Sequence, residues 1–202
     1  QNDVADTIME LLAGAMQELV IGLPWKLSTD VGPVIDENAL AELQAHADRM
    51  EREHRLIARA PVPPGLSGCY LAPCAFEIDS IRTLEIDIFG PILHVVRYRS
   101  GDLDRVIDEI NATNFGLTVG VHSRIDHTQR YIAGRVRAGN CYINRNMIGA
   151  VVGVQPFGGE NLSGTGPKAG GPHYLFRFAT ERTLTVNTAA VGGNASLLDL
   201  ND

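Results

Sequence analysis

The apolar positions change period several times along the chain, and each change predicts an element. Over residues 3–19, Val4, Ile8, Leu11, Leu12, Ala15 and Leu19 recur at three- and four-residue spacing, as on one face of an amphipathic helix. Asp3 is placed to cap its start, and Gly22 with Pro24 to end it. Asp36 is placed to cap a second helix reaching residue 57, with Ala39, Leu40, Leu43, Ala47 and Met50 inward and a charged, solvated outer face. Residues 60–67 hold three Pro and a Gly and predict a loop. Residues 70–78 predict a short strand interrupted by Pro73, and the β-branched run 91–98 a buried strand. A helix over 103–112, a strand over 117–122, a helix over 128–137 and a strand over 141–144 follow. Strands alternating with short helices imply parallel βαβ units, hence an α/β fold: a three-layer α/β/α domain with a mostly parallel sheet.

Residues 146–172 break this rhythm. They are rich in Gly and have no regular period, so neither helix nor regular strand is expected. A flexible linker would be polar, yet Ile148, Val151, Val152, Val154, Phe157 and, just beyond, Tyr174 are apolar. The segment therefore reads as an ordered loop wrapped around a site. Residues 181–189 alternate apolar and polar side chains as a strand does. A lone terminal strand needs a second sheet edge, which a partner subunit can supply.

Composition narrows the class. The 202 residues are 45% hydrophobic and 20% charged, an ordinary soluble balance. The net charge of −7, without a basic run, argues against nucleic acid and anionic membranes as partners. No apolar run has the length of a membrane span, and no signal peptide is visible. Cys69, Cys74 and Cys141 are too few and too scattered for a disulfide framework or a zinc site, which suggests a reducing, cytoplasmic setting. The sequons at Asn111, Asn161 and Asn194 are then accidental. The chain opens without Met at the edge of a helix, as the interior of a longer protein would.

Local chemistry is sparse. The spacing of Gly164, Gly166 and Gly170 does not fit the dinucleotide fingerprint, and Pro167 blocks the expected helix start. Cys141 falls in a predicted strand and reads as core; Cys69 and Cys74 read as structural. The six His show no metal-ligand spacing, and His94 and His122, in apolar strands, read as core histidines with satisfied hydrogen bonds. By composition alone Phe89-Gly90-Pro91 is a strand-entry turn, with Glu85 and Asp87 as solvated acids beside it.

Taken together, Ile88-Phe89-Gly90-Pro91, Asn114-Phe115-Gly116-Leu117-Thr118, Gly139-Asn140-Cys141-Tyr142-Ile143-Asn144 and Pro156-Phe157-Gly158-Gly159 resemble, in order and approximate spacing, the aldehyde dehydrogenase superfamily. Asn144-Arg145-Asn146, the run from Gly149 to Gly153 and the run from Ser163 to Pro172 are similar to its bifunctional proline utilisation A branch. The resemblance implies NAD-dependent oxidation of L-glutamate γ-semialdehyde to glutamate, by attack of a Cys on the aldehyde, hydride transfer to NAD and hydrolysis. It implies that Phe89 lines the nicotinamide ribose region. It gives Asp87 the grip on the ribose hydroxyls, although the family usually has Glu there, one methylene longer. Gly149 and Ala150 would anchor the substrate carboxylate through backbone N–H groups, and Phe157 would pack on the aliphatic part of the substrate.

The family's nucleophile sits in a Gly-Gln-Arg-Cys-Ser-type motif that this chain does not contain. The expectation is therefore no catalytic residue here, no metal site, and no activity for this polypeptide alone. FAD would belong only to the proline dehydrogenase part of a bifunctional parent. Residues 1–178 are expected to form part of the catalytic domain. Residues 179–202 are expected to form an oligomerisation strand and tail that pairs the chain as a homodimer. Two other readings stand beside this one: a non-catalytic aldehyde-dehydrogenase-like binding or assembly module, and an unrelated α/β ligand-binding domain.

Overall fold

The structure is a computed structural model that describes residues 1–148, 150, 151 and 153–187. Helix α1 spans Asn2–Gln17. Its inward side carries Ala5, Met9 and Met16, whereas Val4, Ile8 and Leu11 of the predicted face are exposed. The helix is apolar on more than one side, so periodicity alone does not select the buried one. Asp3 is not the cap: Gln1 holds that position, and Asp3 lies in the first turn, where its charge favours the helix dipole. Helix α2 spans Glu37–Glu53, and Asp36 caps it as expected, its Oδ1 accepting from the Ala39 N–H at 2.8 Å.

The second helix stops short of the expected residue 57. His54 is extended, and β1, Arg55–Arg59, pairs antiparallel with β2, Cys74–Ile78. Strand β2 pairs in parallel with β3, Ile92–Val96. The connection between β2 and β3 contains only a 3₁₀ turn, Ile81–Thr83, and no α-helix, so these two parallel strands form no βαβ unit. Alternation along β2 divides its contacts. Ala75 packs with Ala58 and Met16 of α1, while Cys74, Phe76 and Ile78 pack with Ala47 and Met50 of α2. The two helices thus cover opposite faces of the small sheet. Phe76 and Met50 are fully buried, each contributing about 2–3 kcal/mol of apolar transfer.

Helix α3, Leu103–Ala112, has the predicted bounds and buries Ile107. Strand β4, Phe115–Gly116, follows, then β5, Thr118–Val121. Helix α4, Asp126–Ala133, leads to β6, Asn140–Ile143, which pairs in parallel with β5. This β5–α4–β6 stretch is a βαβ unit. Strand β7, Glu160–Asn161, returns antiparallel to β4. A mixed α/β fold with small sheets results. Residues 181–187 join no strand, and the rest of the predicted terminal strand, 188 and 189, lies outside the described residues.

Candidate functional site

The loop entering β3 carries the first group of candidate residues. Gly90 lies against α2, and a Cβ there would come within 2.6 Å of the Leu43 side chain, so a larger residue would require Leu43 to shift. The Gly90 N–H donates to the Ile88 carbonyl and the Ile92 N–H to the Gly90 carbonyl, forming the tight entry turn. Asp87 lines a cleft of about 320 Å³ with Ile86, Ile88, His94, Phe115 and Ser163. Its carboxylate has no hydrogen bond or ion pair among the described residues. Phe89 does not line this cleft; its ring stands 85% exposed beside it.

The Gly-rich segment is an ordered loop held against β6. The Asn140 carboxamide donates to the Pro156 carbonyl at 3.0 Å, and its Oδ1 accepts from the Gly158 N–H at 3.4 Å and from Lys168 Nζ at 3.5 Å. Lys168 Nζ also donates to the Gly139 carbonyl. Phe157 and Ala169 exchange both backbone hydrogen bonds, at 3.0 and 2.9 Å. Farther along, Ser163 Oγ accepts from the Gly116 N–H at 3.0 Å. Through Ser163 the Gly-rich segment reaches the Asp87 cleft.

The substrate candidates fall on this loop. Ala150 is half-buried, and its N–H donates to no other described residue. Gly149 lies outside the described residues. The Gln155 side chain folds back to accept from the Val151 N–H at 3.2 Å, closing the turn that follows Ala150. Phe157 is half-buried between the loop's two arms. Its neighbours Gln155 and Pro156 line a larger cleft of about 830 Å³ with Asn140, Arg145, Lys168 and His173. The Arg145 guanidinium lies 4.8 Å from the Tyr142 ring centroid. The structure thus brings Asp87 and the Gly-rich segment together at Ser163, while Ala150 and Phe157 line neither cleft.

Sequence reasoning missed Asn140, Gln155 and Lys168, the side chains that fix this loop. Asn140 was visible within a motif, but its role needs the loop folded back onto it. Cys141 corrects another expectation: it is exposed, because Tyr142 takes the buried position of the short strand β6. Partial desolvation pushes the Cys141 thiol up, and burial pushes the Cys74 thiol up to about 11. Both shifts disfavour the thiolate that a nucleophile needs. Among the described residues no group of three or more His, Cys, Asp or Glu could hold a metal ion, and no helix is long and apolar enough to cross a membrane.

The fold is one of small α/β units, with a Gly-rich loop clasped to a strand and reaching a cleft that Asp87 lines. Residues 1–184 match the aldehyde dehydrogenase family, and the chain belongs to that family. It is 48% identical over 188 residues to the bifunctional protein PutA of Escherichia coli (strain K12), covering 90% of this chain and 14% of that protein. A crystal structure of a Bradyrhizobium japonicum proline utilization A (PutA) mutant superposes with a TM-score of 0.88 at 59% identity, over 94% of this chain and 19% of that one. A 1-pyrroline-5-carboxylate dehydrogenase from Thermus, with bound NAD, gives a TM-score of 0.79 at 32% identity over 88% of this chain and 34% of that one. The chain therefore spans about a seventh of the length of the PutA relative it matches.

Proposed function

We propose that this chain is the part of an NAD-dependent L-glutamate γ-semialdehyde dehydrogenase that holds the substrate's carboxylate and one side of the cofactor. The observation that carries the reading is the Gly-rich loop, clasped to β6 by Asn140 and Lys168 and reaching the Asp87 cleft at Ser163. The Ala150 N–H, with that of Gly149, donates to the substrate's α-carboxylate, as backbone N–H groups in a Gly-rich turn favour an anion. Phe157 bears on the methylene chain. Fixing the substrate at its far end orients the aldehyde carbon and reduces the entropy lost on reaching the transition state.

The residues present also fit a piece of the cofactor. Asp87 has an unpaired, exposed carboxylate that accepts from a vicinal diol, as a ribose offers. Phe89 has an exposed ring that covers an apolar face beside it. NAD, when bound, supplies the hydride acceptor. Asp reaches less far than the family's usual Glu, so its hold on the ribose is weaker. In this reading residues 1–178 belong to a three-layer catalytic domain and residues 179–202 to a strand that pairs two copies. The setting is cytoplasmic, and any FAD belongs to a separate proline dehydrogenase domain.

The nucleophilic Cys is not among Cys69, Cys74 and Cys141, so the chain alone binds without turning over. Two measurements test this reading. Titrating the ¹⁵N-labelled chain with L-glutamate, the product, is expected to shift the Ala150 and Phe157 amides in the millimolar range. Shifts confined to other regions overturn the carboxylate assignment. A spectrophotometric assay with NAD and the semialdehyde is expected to show no NADH; turnover at rates ordinary for such enzymes overturns the inactivity.

A further inference from the structure

The interface between α2 and β3 is mostly apolar, but it contains one polar bond. His46 on α2 and His94 on β3 meet Nε2 to Nε2 at 2.9 Å, edge to face, with ring centroids 5.1 Å apart. Around them the packing is hydrocarbon: His94 is in register with the fully buried Phe76, and Ala47 and Met50 fill the same face.

The surroundings fix the proton. Arg49 Nη2 lies 3.5 Å from His46 Nδ1, and a guanidinium only donates. His46 Nδ1 is therefore the acceptor, and its ring proton sits on Nε2. His46 then donates to His94 Nε2, which must be unprotonated. Protonating His94 removes the acceptor and sets two N–H groups against each other. Protonating His46 sets a cation against Arg49.

The pair stands between two clefts. His94 lines the Asp87 cleft; His46 and Arg49 line a second one, of about 490 Å³. Leu84, Ile86 and Ile88 line both, so residues 84–88 form a thin wall with a histidine on each side. That wall carries Asp87. It has little support of its own: the Leu84 N–H donates to the Ile81 carbonyl and the Gly90 N–H to the Ile88 carbonyl, with no strand pairing between them.

We propose that the His46–His94 hydrogen bond is a latch that positions the 84–89 segment, closed while His94 is neutral and open once His94 is protonated. His46 and His94 are positioning residues, acting through the wall on Asp87; their bearing on the cofactor rests on the reading of Asp87 given above. The charged or titratable groups facing the pair are Arg49 from α2, His54 just past its end, and Glu85 and Asp87 from the wall. Burial first, and then the neighbouring side chains, Arg49 among them, favour the neutral rings: His94 is lowered to about 4, and His46 is lowered by burial and Arg49.

Backbone ¹⁵N relaxation at pH 7 tests the latch in the wild type and in His46→Ala, His94→Ala and His46→Gln. The Ala variants are expected to drop the order parameters of residues 84–89 from about 0.85 to below about 0.6. The Gln amide still donates to His94 Nε2 and is expected to restore most of the order. Unchanged order in both Ala variants, or Gln no better than Ala, overturns the proposal. If an Ala variant does not fold, an acid titration of the wild type decides. Order in 84–89 must fall with the same midpoint as the His94 imidazole signals; order that survives protonation of His94 overturns the latch. NAD titration of wild type and Asp87→Ala tests the cofactor reading separately. A segment that loosens with no effect of Asp87→Ala on NAD keeps the latch and removes the cofactor role.

Discussion

At the residue scale, one side chain joins β6 to the Gly-rich loop at three points. The Asn140 amide meets Pro156, Gly158 and Lys168 at once. Asn140→Ala leaves the Pro156 carbonyl and the Gly158 N–H without these partners, in a partly buried place. The expected cost is about 1–3 kcal/mol in urea unfolding, together with faster proteolytic nicking within residues 153–172. A stability change under about 0.5 kcal/mol, within the ordinary surface range, would mean that water replaces the amide and that the loop is held elsewhere. The sequence showed this Asn only as part of a motif. Likewise, the roles proposed for Asp87 and Phe89 were invisible to composition, which made them a solvated acid and a turn residue. The structure keeps both exposed, and it adds that Asp87 faces a cleft while Phe89 stands outside it.

At the scale of elements, what was legible depended on how local its cause was. The α2 start, set by Asp36 three residues from the amide it caps, and the whole of α3 were readable from neighbouring residues. Strand β1 was not, because Arg55–Arg59 is a strand only through pairing with Cys74–Ile78. The same holds for β4 and β7, two residues each, which exist through one another. Two glycines test how tightly the elements are joined. A Cβ on Gly139 would lie 1.8 Å from the Gly158 carbonyl oxygen, which is backbone and cannot swing away. A Cβ on Gly14, inside α1, meets nothing within 4 Å. Gly139→Ala is therefore expected to cost at least about 2 kcal/mol by forcing the loop off β6. Gly14→Ala is expected to gain about 0.5–1 kcal/mol from helix propensity. Thermal denaturation of the two variants should move in opposite directions. A neutral Gly139→Ala would show that the loop is not clasped to the strand.

At the scale of the whole molecule, stability should depend on pH through two groups, half-buried His94 and buried Cys74, with opposite signs. His94 in the folded chain titrates near 4, well below its ordinary value of 6.5, chiefly because burial disfavours its charged form. The unfolded chain therefore binds the proton first. The contribution from neutral His94 is complete above about pH 6.5 and is lost as pH falls towards 4. Cys74 behaves as an acid whose folded value is raised, from 9.0 to about 11, again mainly by burial. Its contribution is complete below pH 9 and is lost as pH rises through 11, because the unfolded chain ionises first. Urea midpoints measured from pH 4 to 11 should thus form a plateau that falls at both ends. Because His94 is only half-buried, solvent screening reduces the acid-side change, and carboxylates add to it below pH 5. The comparison with variants isolates each group. His94→Gln should flatten the slope between pH 6.5 and 5, where carboxylates contribute little, and Cys74→Ala should flatten the slope above pH 9. If His94→Gln kept the wild-type slope in that window, the ring would be charged in the folded chain at neutral pH, contrary to its burial against Phe76 and its bond to His46.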